Sequence, residues 1–128
     1  MTPVSEALPT TSIHIKTPDG DLFVHIAESG GHPSELLLNI GKSGYPLAAW
    51  SNALGLITSL ALKNGVSLRE IADELVNIKT DKVTRSNGVA IHSGPEGLGV
   101  AIMKYLSAKH DALMEPNDYR AAKLERDS

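Results

Sequence analysis

From residue 12 to residue 40 apolar and polar positions alternate with a period of two, the pattern of half-buried strands. Ile13 and Ile15 share one face of a first strand, with His14 and Lys16 on the other. Pro18-Asp19-Gly20 is a turn signal, after which Leu22, Val24 and Ile26 point one way and Phe23 and His25 the other. Ser29-Gly30-Gly31 marks a second turn, and Leu36, Leu38 and Ile40 resume the alternation. Three strands joined by turns this short predict an antiparallel meander.

The period then lengthens to that of a helix. Trp50, Leu54, Ile57 and Ala61 recur at helical spacing and predict an apolar stripe that packs into the core, with Trp50 a core residue at the start of the helix and, as the second reading, a ring that stacks on a ligand near Lys42. Ala48, Asn52, Gly55 and Ser59 form a side of small residues that lets another element approach. Pro46 suits the first turn and Asn64-Gly65 the stop. No charge falls between Gly44 and Leu62, so this reads as the central helix of the domain; its polar content is too high for a membrane span. Ser67-Leu68-Arg69-Glu70 is a capping box that opens a second helix with Ile71, Leu75 and Ile78 as its stripe. Asn87-Gly88 predicts a turn and Val89 to Ile91 a short strand. Ser93-Gly94-Pro95-Glu96 opens a third helix with Leu98, Ala101, Ile102, Tyr105 and Leu106 on its apolar face. The expected class is α+β: a three-stranded or slightly larger antiparallel meander with helices packed on one face. Residues 1–11 read as a leader without signal-peptide features, 12–108 as the domain, and 109–128 as a charged helical tail.

Composition narrows the chemistry. With 128 residues the chain is one domain, large enough to fold around its own core. Only 4% of residues are aromatic, so that core is aliphatic. There is no cysteine, which excludes disulfides, thiolate metal sites and cysteine nucleophiles, and fits a cytoplasmic setting. A net charge of -3 argues against binding long nucleic acid. His14, His25, His32, His92 and His110 fall at no metal-ligand spacing, although His14 and His25 sit on neighbouring strands. No Ser-His-Asp order or carboxylate pair stands out, so neither a catalytic residue nor a cofactor is expected.

Two segments combine cations, glycines and helix starts. Lys42, Ser43 and Gly44 follow Gly41 between the third strand and the first helix, and could cradle an anion; Leu36 stands where a P-loop needs glycine. The plainer reading is a glycine-rich turn with a solvated lysine. Arg85 and Asn87, then His92, Ser93 and Gly94, supply a guanidinium, an amide, an imidazole and another helix start, against the reading of a polar loop with a cap. Together they describe a site for a nucleotide or cyclic nucleotide. Lys42 and Arg85 would neutralise phosphate, the N–H groups of Ser43, Gly44 and Gly94 would hold its oxygens, and Asn87 and His92 would read base or ribose.

The segments LFVHIAESGGHPSELLLNIGKSG, AWSNALGLITSLALKNGVSLREIADELVNIK and HSGPEGLGVAIMKYL resemble the TSCPD domain, from Ile13 to Leu106. The motif that names that family aligns with His92-Ser93-Gly94-Pro95-Glu96: Ser93 and Pro95 match, Glu96 is a conservative change, and His92 and Gly94 replace Thr and Cys. The domain occurs at the C-terminal end of many ribonucleotide reductases and as short separate proteins. The resemblance implies an accessory or ligand-recognition module tied to nucleotides, such as a sponge for a phage-type anti-defence role, or a regulatory module that docks to a reductase. A sheet edge and an apolar helix left uncovered by so small a domain also imply a homo-oligomer.

Overall fold

The computed structural model describes residues 8–41 and 45–113. Three strands, β1 (Thr10–Thr17), β2 (Gly20–Ser29) and β3 (His32–Gly41), form an antiparallel sheet in that order. Both hairpin loops have two residues. Gly30 and Gly31 both take positive φ, +62° and +81°, which suits a tight turn whose twist matches its strands. Val24 pairs with Ile13 on one side and Leu38 on the other, so the apolar sets of all three strands share one face. The first strand begins at Thr10, two residues before the expected domain boundary.

The predicted short strand Val89–Ile91 is present as β5, paired with β4 (Thr84–Ser86) across Asn87-Gly88. Asn87 at φ +51° and Gly88 at +82° make this a turn of the same kind. The hairpin lies against β1, where the Lys16 N–H donates to Ser86 Oγ at 3.0 Å.

Three helices complete the fold: α1 (Tyr45–Lys63), α2 (Leu68–Leu75) and α3 (Gly94–Leu113). The capping box of α2 forms as expected, with Ser67 accepting from the Glu70 N–H. Ile78 falls beyond α2 and is exposed; Ala72 takes its place in the buried stripe. The residues after Leu113, which include most of the expected tail, lie outside the described residues.

The order of the helices in the core differs from expectation. The central helix is α3, packed on β1 and β2, with α2 against its other side. Leu98, Ala101, Ile102 and Tyr105 join Ile15, Val24, Ile26 and Ile91 in one cluster. Gly97 and Gly99 permit this: a Cβ on Gly97 would meet Thr17 Cγ2 at 2.6 Å, and one on Gly99 would meet Val76 Cγ1 at 2.7 Å.

Helix α1 packs mainly on β3, the edge strand. Its buried side is the small, polar one: Ser51, Gly55 and Thr58 are covered. Trp50, Leu56, Ile57 and Leu60 are 74%, 64%, 64% and 60% exposed, so Trp50 is no core residue. The reason is the edge itself. Ser59 Oγ accepts the Leu36 N–H at 2.9 Å and lies 3.3 Å from the Leu36 carbonyl. A Cβ on Gly55 would stand 3.2 Å from that carbonyl. A leucine or tryptophan there would hold the helix off and leave strand groups without partners. No helix among the described residues is long and apolar enough to cross a membrane.

Candidate functional site

Of the residues singled out from sequence, Arg85, His92, Ser93 and Gly94 make internal contacts. Arg85 is exposed, and its Nη1 donates back to the Gly88 carbonyl at 3.1 Å, within its own hairpin. Asn87 holds the left-handed turn position. His92 is half-buried, with Nδ1 at 2.9 Å from Glu96 Oε1. Ser93 is buried: its Oγ accepts from the Glu96 N–H at 3.0 Å and donates to the Ile78 carbonyl. Lys42, Ser43 and Gly44 lie outside the described residues.

The N–H of Gly94, expected to hold a phosphate oxygen, donates instead to Asp19 Oδ2 at 2.8 Å. Asp19 sits in the β1–β2 turn, where Thr17 Oγ1 accepts its N–H at 3.1 Å and donates to the Gly20 carbonyl at 2.8 Å. An aspartate in such a turn presents its carboxylate to the start of α3, where helix polarity favours negative charge. The protein therefore supplies its own anion at this helix start, and a phosphate there would meet like charge.

Glu96 ties three segments together. It is 4% exposed; Oε1 accepts the His92 N–H as well as the ring, and Oε2 accepts from Lys79 Nζ. Burial works to raise its carboxyl, but the hydrogen bonds from Lys79 and from the backbone and ring of His92 outweigh that and hold it below the usual carboxylate range. At the far end of α3 the Tyr105 hydroxyl donates to Glu28 Oε2, and Lys109 Nζ lies 3.0 Å from the same oxygen. These bonds lower the Glu28 carboxyl. Burial, then the bond to Glu28, pushes the Tyr105 phenol up. His14 and His25 do not meet: the His14 ring stacks on Phe23, and His25 Nδ1 lies 2.7 Å from Ser12 Oγ.

One groove that the fold leaves open, of about 390 Å³, lies between α1 and the start of α3. Leu22, Leu38 and Ile40 supply the sheet side, Leu54 and Ile57 the α1 side, and Leu98 the α3 side. Trp50 stands at the rim as the only aromatic lining residue, and Asp19 is the only ionisable one among the described residues. Of the described residues expected to bind, Gly94 alone lines it; Arg85, Asn87, His92 and Ser93 do not. The sequence signal for Asp19 was present in Pro18-Asp19-Gly20 but reads as turn chemistry, and the apolar lining reads as ordinary core. Among the described residues such a groove offers apolar area, one ring face, the Asp19 carboxylate and the Ser51 hydroxyl.

The chain matches the family model of the TSCPD domain over residues 2–106 and belongs to that family. No curated protein and no solved structure matches it significantly. At the positions of the family's motif, Ser93 caps α3, Gly94 receives Asp19, Pro95 lines the groove and Glu96 anchors the loop before the helix.

Proposed function

We propose that this TSCPD-domain protein is a non-catalytic binding protein, and that its ligand presents a flat, largely apolar ring such as a nucleobase to the groove between α1 and α3. The groove carries the reading: its volume suits a base or nucleoside, and Trp50 can stack on a ring. Asp19 Oδ2 is held by Gly94, which leaves the carboxylate's other oxygen to accept an N–H from the ring edge. The phosphate contacts expected of Arg85 and of the Gly94 N–H form no part of this reading, because the Gly94 N–H is held by Asp19 and Arg85 does not line the groove. A protein that holds a nucleotide without converting it would sequester or sense a nucleotide signal.

Thermal melting against nucleosides, mono- and cyclic nucleotides and inorganic phosphate tests this. Nucleosides and nucleotides that fit should stabilise alike, by about 2.7 kcal/mol at a hundred times the dissociation constant, and phosphate alone should do nothing. Trp50→Ala and Asp19→Asn should weaken the effect. No shift with any base-bearing compound overturns the reading. Retention on an immobilised ribonucleotide reductase chain, with no such shift, would favour the docking module instead.

A further inference from the structure

Resting on the ring-binding reading of the groove between α1 and α3, we infer that the ring it selects is guanine, taken by the edge that carries N1–H and the N2 amino group. Three of the described lining side chains carry a polar atom: Asp19, Ser51 and Trp50. The Asp19 carboxylate only accepts, and with Oδ2 held by the Gly94 N–H its Oδ1 has no partner among the described residues. Ser51 is 7% exposed, and its hydroxyl proton goes to the Ala48 carbonyl at 2.9 Å. Its oxygen receives no donor among the described residues, so the groove wall holds a buried acceptor as well. The backbone adds no donor at the start of α3. The Gly94 N–H goes to Asp19, Pro95 has none, and the N–H groups of Glu96 and Gly97 go to the hydroxyl and the carbonyl of Ser93. The Trp50 N–H lies in the plane of its ring, so a base stacked on the ring face does not meet it.

A ring that enters must therefore bring donors, and must not turn a lone pair toward the carboxylate. Guanine carries two adjacent donors on one edge, N1–H and the N2 amino group. Adenine and cytosine set a ring-nitrogen acceptor beside their amino group, and uracil flanks its one N–H with two carbonyls. Facing Asp19, each of these three brings a lone pair against a negative charge, and no described lining residue is a cation that would offset it. A guanidinium also offers paired N–H groups, but it has no ring to cover Leu22, Leu38, Leu54 and Leu98. Because the described lining has no cation to meet a phosphate, the site reads the base and leaves the rest of a nucleotide outside.

The chain has one tryptophan and it stands at the groove, so titrating its emission reads binding directly. Guanosine and guanosine monophosphate should bind alike. Inosine lacks the N2 amino group and 1-methylguanosine lacks N1–H; both keep the stacking surface, and each should bind about tenfold more weakly. Adenosine, cytidine and uridine should bind no tighter than inosine, and methylguanidine should not compete. Asp19→Asn should bring guanosine down to the level of inosine. Ser51→Ala, a substitution that suits a helix, should keep the circular dichroism of the wild type and weaken guanosine about fivefold. Equal affinity for all the nucleosides overturns the guanine assignment and leaves the ring-binding reading standing. A preference for guanosine that survives Asp19→Asn, or methylguanidine binding as tightly as guanosine, overturns it too. Absence of any response to every base overturns both.

Discussion

Asp19 and Gly94 lie 75 positions apart in sequence, yet the Asp19 carboxylate accepts the Gly94 N–H at 2.8 Å and joins the β1–β2 turn to the first residue of α3. The contact satisfies one of the free N–H donors at that helix start, where Pro95 offers none, and places a negative charge at its positive end. Asp19→Ala should therefore lower unfolding free energy by about 1–2 kcal/mol. Asp19→Asn keeps an acceptor and should cost less. Chemical denaturation of the two variants checks the order; equal stability of the alanine variant and wild type would remove the contact from any account of how α3 is held.

Ser59 performs a comparable service for the sheet. Its Oγ accepts the outward N–H of Leu36 at 2.9 Å and shares its proton between the carbonyls of Gly55, at 2.9 Å, and Leu36, at 3.3 Å. Ser59→Ala leaves that edge N–H without a partner under a helix, at a cost of about 1–3 kcal/mol. Amide exchange at Leu36 should accelerate more than exchange at Val24 in the middle of the sheet. A uniform change across both strands would mean that α1 does not protect the edge in particular.

The meander was readable because strands buried on one face alternate strictly, and the two-residue turns announce themselves through glycine. The last two helix starts were readable for the same local reason: their caps lie within four residues of sequence. The orientation of α1 was not readable. With Trp50, Leu54, Leu56, Ile57, Leu60 and Leu62 spread over more than half its circumference and no charge to mark an outside, periodicity gave a stripe but no direction. What decides the direction is the backbone edge of β3, and backbone donors leave no mark in sequence. The groove was hidden for a related reason, since its apolar lining is identical in composition to core. Arg85 and Asn87 were conspicuous as polar residues, but Arg85 bonds within its own hairpin and Asn87 takes that hairpin's left-handed turn position.

Acid should destabilise the fold through Glu96. Its carboxyl lies below its ordinary value of 4.5 in the folded protein, so the unfolded chain binds the proton more tightly. The stabilisation is fully present above that ordinary value and is lost as pH falls through the folded one. Glu28, held down by Tyr105 and Lys109, adds to the same acid limb. Melting temperature should thus fall steeply below about pH 4.5, and Glu96→Gln should flatten the fall while lowering stability at neutral pH. Lys79→Ala should reproduce part of that loss, since it removes the cation bonded to Oε2. A Glu96→Gln variant with an unchanged acid limb would assign the effect to Glu28 alone.

Gly97 and Gly99 fix how closely α3 approaches its neighbours, and alanine scanning can measure it. On helix propensity alone each Gly→Ala change should stabilise by about 1 kcal/mol. Packing opposes this. At position 97 the new Cβ would fall 2.6 Å from Thr17 Cγ2, and Thr17 cannot turn away without losing its hydrogen bonds in the β1–β2 turn. At position 99 it would fall 2.7 Å from Val76 Cγ1, with the Val76 nitrogen at 3.1 Å and the Ala72 carbonyl at 3.2 Å behind it. A side chain can rotate but those backbone atoms cannot, so relief at 99 requires α2 and the residue after it to move away from α3. Both substitutions should destabilise, each by about 1–3 kcal/mol once overpacking outweighs propensity. Gly99→Ala should also loosen the capping-box helix, seen as faster amide exchange at Ala72 and Leu75. If urea titration instead shows either variant gaining the propensity increment, α3 does not pack at the separation that puts Leu98 and Ile102 in the core.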